Sequence, residues 1–316
     1  MDTSSSPRLA DSNNAVPNPF LALKSRYLVL GTFLMASLGA GSLYALLGEW
    51  QVIPKSNEDP ISTPVLTIAV LTVMAVSILW IGHQEGLKTR YLFGQRNPKF
   101  SILYSVVLVL SLLLFSLGIS SVIFYLLSLS FPSYVSQLLE NSTLLDSHRS
   151  AYPQLYEALM LFLLLVYAPV VEELVFRGIL LQRWSVQWGL RSGVIASSIL
   201  FGALHFNNPI GLTLFGLVMG LLYVRTQSLW VPIGCHALNN LAAVGIDWFS
   251  QVASGGQTTT VSDVQELWWM SLILVAVSMP FLAVFVWRSW PKTTDAIPYV
   301  TNCGAAGLGV KALREP

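Results

Sequence analysis

The segment Val171-Glu172-Glu173-Leu174-Val175-Phe176-Arg177 sets two adjacent carboxylates inside an apolar stretch. Residues 158–171 before the pair carry no charge, and 178–181 after it are apolar. An ionised group at the centre of a bilayer costs about 2.5–3.5 kcal/mol or more, so a charge there is read first as functional. Glu173 and Arg177 stand at i,i+4, with the acid on the favourable N-terminal side, and can pair on one helix face. Glu172 is rotated about 100° from that face and does not share the guanidinium equally. One acid is thereby neutralised and the other left free for proton transfer, two carboxyls given two roles by environment. The competing reading is a helix end whose charges mark the membrane–water interface.

Two more polar sites interrupt apolar helices. Phe201-Gly202-Ala203-Leu204-His205 ends one of them, just before Asn207-Asn208-Pro209. His236-Ala237-Leu238-Asn239-Asn240 puts His236 and Asn240 one turn apart on one face of another. Such a pair can aim two hydrogen bonds in a common direction, as a developing oxyanion requires, or can serve as polar glue between helices. Cys235 adjoins His236 but points about 100° away, which makes it a poor nucleophile candidate. Gly216-Leu217-Val218-Met219-Gly220 is a small-xxx-small surface for close helix packing.

The elements that position these residues are membrane helices. Charged residues make up 10% of the 316 and hydrophobic ones 54%, against about 25% charged in a soluble domain. Disordered, disulfide-rich and coiled-coil classes do not fit, and a net charge of +1 argues against nucleic acid as a partner. Residues 27–48, 61–82, 101–131 and 267–287 are uncharged and long enough to span. The stretches from 152 to about 183, 192–205, 210–224 and 229–246 are apolar but carry ionisable residues or run short. The expectation is an all-α, polytopic membrane protein of about eight transmembrane helices. It divides into a polar arm (1–26), three N-terminal spans (27–150), a core (151–250), a last span (251–290) and a flexible tail (291–316). The arm lacks the layout of a secretory signal, so the first span is expected to be retained.

Lysine and arginine set the orientation. Arg8, Lys24, Arg26, Lys88, Arg90, Arg96, Lys99, Arg177, Arg183, Arg191, Arg225, Arg288, Lys292, Lys311 and Arg314 fall on one side of an eight-span arrangement. Lys55 and Arg149 fall on the other. Both termini are therefore expected in the cytoplasm or its equivalent, with the protein in the plasma membrane or an internal membrane such as a thylakoid. Counted from the basic ends at 1.5 Å per residue, Glu172 lies about 16 Å deep, His205 about 21 Å, and His236 and Asn240 roughly 9 to 15 Å. The three sites can meet in one conical cavity, expected to open to the cytoplasmic side.

A carboxylate, two imidazoles and an amide in a dry pocket suit hydrolysis by activated water. The spacing offers no Ser-His-Asp or Cys-His set and no His-Glu-x-x-His. Glu172, His205 and His236 also make a known kind of catalytic zinc ligand set, so metal-free and zinc-dependent versions both stand at this point.

Glu172-Glu173-x-x-x-Arg177, Phe201-x-x-x-His205 and His236-x-x-x-Asn240 resemble, in order, the three motifs of the CPBP intramembrane proteases. These are the CAAX-processing and bacteriocin-processing (Abi) enzymes related to the Ras-converting endopeptidase. The resemblance covers about residues 155–250. It implies Glu172 as general base, His205 as its partner in activating water, His236 and Asn240 as oxyanion hole, and Glu173 and Arg177 as supports. It also implies an endopeptidase acting on a membrane-associated or lipid-anchored protein or peptide. A non-catalytic scaffold retaining the fold is the alternative from another class. A transporter is disfavoured because no matching pair of broken helices suggests inverted repeats.

Overall fold

The computed structural model describes residues 18–24, 31–50, 59–95, 101–140, 144–145, 147–257 and 259–310. Eight helices make up most of this: α1 (Thr32–Glu49), α2 (Ser62–Gln84), α3 (Ile102–Ser128), α4 (Pro153–Trp188), α5 (Leu190–Ala203), α6 (Pro209–Thr226), α7 (Trp230–Ala253) and α8 (Val261–Ser289). Five of them, α2, α3, α4, α6 and α8, are long and apolar enough to cross a membrane. The protein is an all-α, polytopic membrane protein. Large apolar side chains such as Met35, Ile102 and Trp287 cover its outside, as a lipid-facing surface requires.

Three helices fall short of the expected spans, each for a readable reason. The uncharged run 27–48 forms α1, but serine and glycine dilute its hydropathy, and residues 27–30 lie outside the described residues. α7 carries His236, Asn239, Asn240 and Asp247 among its apolar residues. α5 has 14 residues, about 21 Å of helix, too short for a hydrocarbon core about 30 Å thick. It ends at Ala203, leaving His205 in the turn that joins α5 to α6. The side chain of Asn208 accepts from the N–H of Gly211 to cap α6. Its Nδ2 also donates to the Ser116 carbonyl and hydroxyl on α3, at 3.0 and 2.7 Å. The turn is tight because Gly202 leaves no room for a Cβ, which would stand 2.0 Å from the Thr213 hydroxyl.

α3 packs most extensively on α8, α5 on α6, and α1 on α2. Gly118 of α3 lets the α8 backbone approach, since a Cβ there would lie 2.8 Å from the Ser271 carbonyl. Gly216 and Gly220 behave as packing glycines, pressed against Ser198 and Leu181.

The bundle has two distinct ends. At one, Arg183 bonds the Leu23 carbonyl, Arg191 the Pro291 carbonyl, and Arg225 the Ser289 hydroxyl. Asn302 there donates to the carbonyls of Tyr91 and Gln227. This basic end gathers most of the described cations expected on one side. Arg177, counted with them from the sequence, is instead buried inside the bundle. At the other end Asp59 accepts from the Ser150 hydroxyl and the Ala151 N–H, at 2.9 and 2.8 Å, joining the entry of α2 to the entry of α4.

The expected flexible tail is not one over residues 291–310. Helix Pro298–Ala305 buries Tyr299 and Cys303, a spacing of one turn that sequence pattern alone carries weakly in eight residues. Tyr299 packs edge-on against Phe20 and Tyr91. Phe20 belongs to the short helix Pro19–Ala22, so part of the polar arm is docked as well. Residues 1–17, 25–26 and 311–316 lie outside the described residues.

Candidate active site

α4 is continuous but not uniformly α-helical. Its turns at Leu163–Tyr167 and Leu174–Leu181 are π-helical, and the α-helical segment Ala168–Glu173 sits between them. Pro169 supplies a cause for the first. A proline inside a helix lacks the N–H of its turn and its ring crowds the carbonyl four residues back, here that of Leu165. The wider turn relieves the crowding, with the Ala168 N–H reaching back five residues to the Leu163 carbonyl. In that register the Leu164 carbonyl should receive the N–H of residue 169, and proline has none. A neighbouring helix provides the donor instead: Asn240 Nδ2 donates to Leu164 O at 2.8 Å. This is how α7 is keyed to α4 one turn above Ala168.

The two acids separate as their angular offset predicts. Glu173 is fully buried, while the Glu172 side chain keeps 18% of its exposure. Arg177 Nη1 donates to Glu173 Oε1 at 2.9 Å, and Nη2 donates to the Gly216 carbonyl at 3.2 Å. The guanidinium also lies 4.6 Å from the Phe201 ring centre, a cation–π contact that suits a desolvated arginine. Glu173 Oε1 is shared, for His236 Nδ1 lies 2.9 Å from it. The second oxygen of Glu173 is buried with no partner among the described residues.

These contacts decide which ring nitrogens face the site. His236 Nδ1 meets a carboxylate, so it carries a hydrogen and turns Nε2 forward. His205 Nδ1 lies 2.7 Å from the Phe201 carbonyl. A carbonyl only accepts, so that nitrogen too carries the hydrogen. Both Nε2 atoms then stand 3.9 Å from the same oxygen, Oε2 of Glu172. That separation is too long for direct hydrogen bonds and suits a bridging water. Phe215 and Phe201 pack edge-on against the His236 ring at 4.9 and 6.0 Å between centres, fixing its plane.

Glu172, His205, His236 and Asn240 line one pocket of about 190 Å³, together with Leu144, Leu164, Phe215 and Asn239 among others. Asn239 is a lining residue that spacing from His236 did not single out. Cys235 is buried and does not line the pocket. The paired oxyanion donors anticipated on α7 are only partly available. One amide hydrogen of Asn240 is committed to Leu164, leaving the other, and His236 Nε2 donates only when its ring is doubly protonated.

Metal binding is not favoured by this arrangement. Ligands about 2.0–2.1 Å from a tetrahedral zinc lie about 3.4 Å from one another, and the Glu172 oxygen is 3.9 Å from each imidazole. No group of three or more His, Cys, Asp or Glu among the described residues is placed to hold a metal ion.

On the basic-end side of Glu172, residues 173–182 form an unbroken buried run. They pack with Val218–Val224 of α6, which are likewise buried. On the opposite side lie Leu164, Leu212, Ala243 and Leu144, and Leu144 belongs to the connection that leads to Ser150. These lining residues lie on the side of Glu172 away from the basic end. Counting residues from Arg183 gave a depth, but depth does not say which half of the bundle is filled.

Residues 154–242 match the family described as type II CAAX prenyl endopeptidase, Rce1-like. That match and the next are similarities over the segment that carries the site. A candidate membrane peptidase, YdiL of Bacillus subtilis (strain 168), is 30% identical over 88 residues. That stretch is 27% of this chain and 36% of YdiL, so the chain spans about a third of its relative's length. No solved structure matches the chain.

Proposed function

We propose that the protein is an intramembrane endopeptidase that uses Glu172 to activate water against a peptide bond of a membrane-associated or lipid-anchored substrate. The observation that carries this reading is the single Glu172 oxygen facing two imidazole nitrogens at 3.9 Å in a pocket. A water placed between them donates one hydrogen to Glu172 and the other to His205 Nε2, while His236, doubly protonated from the start, donates its Nε2 hydrogen into the pocket. Glu172 takes one proton as the water oxygen bonds to the carbonyl carbon. The free amide hydrogen of Asn240 and a protonated His236, with Glu173 as its counter-charge, hold the resulting oxyanion. The C–N bond then breaks as Glu172 returns its proton to the leaving amine. His205 keeps the water in line, and Arg177 holds Glu173 in place. The similarity to CAAX-type peptidases supports the reaction class. An even number of membrane passages with both termini in the cytoplasm completes the proposal, on the distribution of lysine and arginine.

The test is a comparison of protein termini in membranes from cells carrying the natural chain or Glu172→Gln at equal abundance. The proposal expects at least one membrane protein to accumulate uncut in the variant. Identical termini would leave a scaffold role in its place.

A further inference from the structure

The side on which the pocket opens bears on what can be cut. We infer that the pocket is entered from the face opposite the basic end, so that the substrate is a segment presented at the non-cytoplasmic half of the membrane. Cytoplasmic prenylated tails would then not be substrates. This rests on the endopeptidase reading for the word substrate, but the geometry of access does not.

Three observations combine. First, the floor of the pocket is solid. From Glu173 to Gln182, more than one turn past Arg177, every residue of α4 is buried. Opposite them α6 is buried from Val218 to Val224, and Gln182 seals the end by binding Tyr223 and the Tyr299 backbone. A peptide reaching Glu172 from the basic end would have to displace this core. Second, the lining on the other side of Glu172 is incomplete. Leu164, Leu212, Ala243 and Leu144 are only partly buried. Third, Leu144 lies in the connection anchored at Asp59, Ser150 and Ala151. That end holds few cations, whereas Arg183, Arg191, Arg225 and Arg288 stand at the other. Basic connections stay in the cytoplasm. An enzyme with a plugged cytoplasmic half and an open outer half meets its peptide after that peptide has entered or crossed the bilayer.

Thiol accessibility in a bacterial host tests this without needing catalysis. Cys235 and Cys303 are buried, so the natural chain serves as the unlabelled blank. Single changes Tyr152→Cys, at the Asp59 end, and Trp188→Cys, at the basic end, use residues that are about half exposed. Ala243→Cys reports the pocket, and each is treated with a membrane-impermeant maleimide on intact spheroplasts and after permeabilisation. The inference expects Tyr152→Cys and Ala243→Cys to label in intact spheroplasts, and Trp188→Cys only after permeabilisation. Ala243→Cys labelling only after permeabilisation, or not at all, overturns it. Reversal of the Tyr152→Cys and Trp188→Cys pattern overturns it too. Repeating the series in Glu172→Gln separates the two claims: unchanged labelling with no cleavage difference from the natural chain would sink the endopeptidase reading and leave the access route standing.

Discussion

Asn240 can be tested as the residue that repairs a backbone defect of α4. Asn240→Leu keeps the volume and removes the donor that serves the Leu164 carbonyl at 2.8 Å. A polar contact between membrane helices usually contributes only about 0.6 kcal/mol, because the separated helices satisfy their groups elsewhere. Leu164 has no such recourse, since Pro169 removes the N–H of its own helix. Leaving a buried carbonyl unpaired costs about 1–3 kcal/mol, and the half-buried position of Leu164 admits some water. The expected loss is therefore about 1–2 kcal/mol, measured by unfolding in mixed micelles with a denaturing detergent. Pro169→Ala restores an N–H in reach of the same carbonyl. In that background Asn240→Leu should cost less than half as much, a coupling that a double-mutant cycle isolates. Equal costs in both backgrounds would refute the link between Pro169, Leu164 and Asn240.

Glu173→Gln should lower stability by about 3–5 kcal/mol, since it strips the buried Arg177 of its charge partner; a melting curve superposable on the natural chain would contradict the pairing. Burial alone would raise the Asp59 carboxyl, but hydrogen bonds from Ile61, Ala151 and Ser150 outweigh it and hold it below its ordinary value of 3.8. A depressed acid stabilises the fold above its unfolded value and loses that contribution as pH falls through the folded one. Stability should thus decline as pH drops below about 4 in the natural chain. In Asp59→Asn it should be lower at neutral pH and less dependent on acid. Gln182→Met removes bonds to Gly178, Tyr223 and Tyr299, and hydrogen exchange should then quicken in helix Pro298–Ala305 while α2 is unchanged.

Much of the site was legible because its residues break an apolar background. Glu173 and Arg177 announce their pairing by spacing, and the 100° offset of Glu172 assigns it to the pocket. Pro169 was equally visible, three residues before Glu172. Its consequence was not, because the carbonyl it orphans is answered by Asn240, 76 residues away in the chain. The same non-locality hid the second role of Glu173: nothing near it in sequence says that its shared oxygen also meets His236. Composition gave an all-helical membrane protein, whereas counting spans stumbled at α5. An apolar run of 14 residues reads as a shortened span until Asn208 is seen bonded to Ser116 inside the bundle. Which side of Glu172 the core fills was the least legible feature. Apart from Glu173, Arg177 and Gln182, residues 173–182 and 218–224 are apolar enough to face lipid or each other, and only packing decides which.

The central claim is that Glu172 is the base. The direct measurement is the turnover of purified Glu172→Gln in lipid nanodiscs, on a substrate segment found by its accumulation in cells, beside a melting curve of the same preparation. Loss of general-base assistance lowers rates by about 10²–10⁴. The account predicts a loss of at least that size with melting unchanged, because Glu172 keeps no ion pair that the fold depends on. Turnover within about threefold of the natural chain, far inside the range that a lost general base would give, would contradict it.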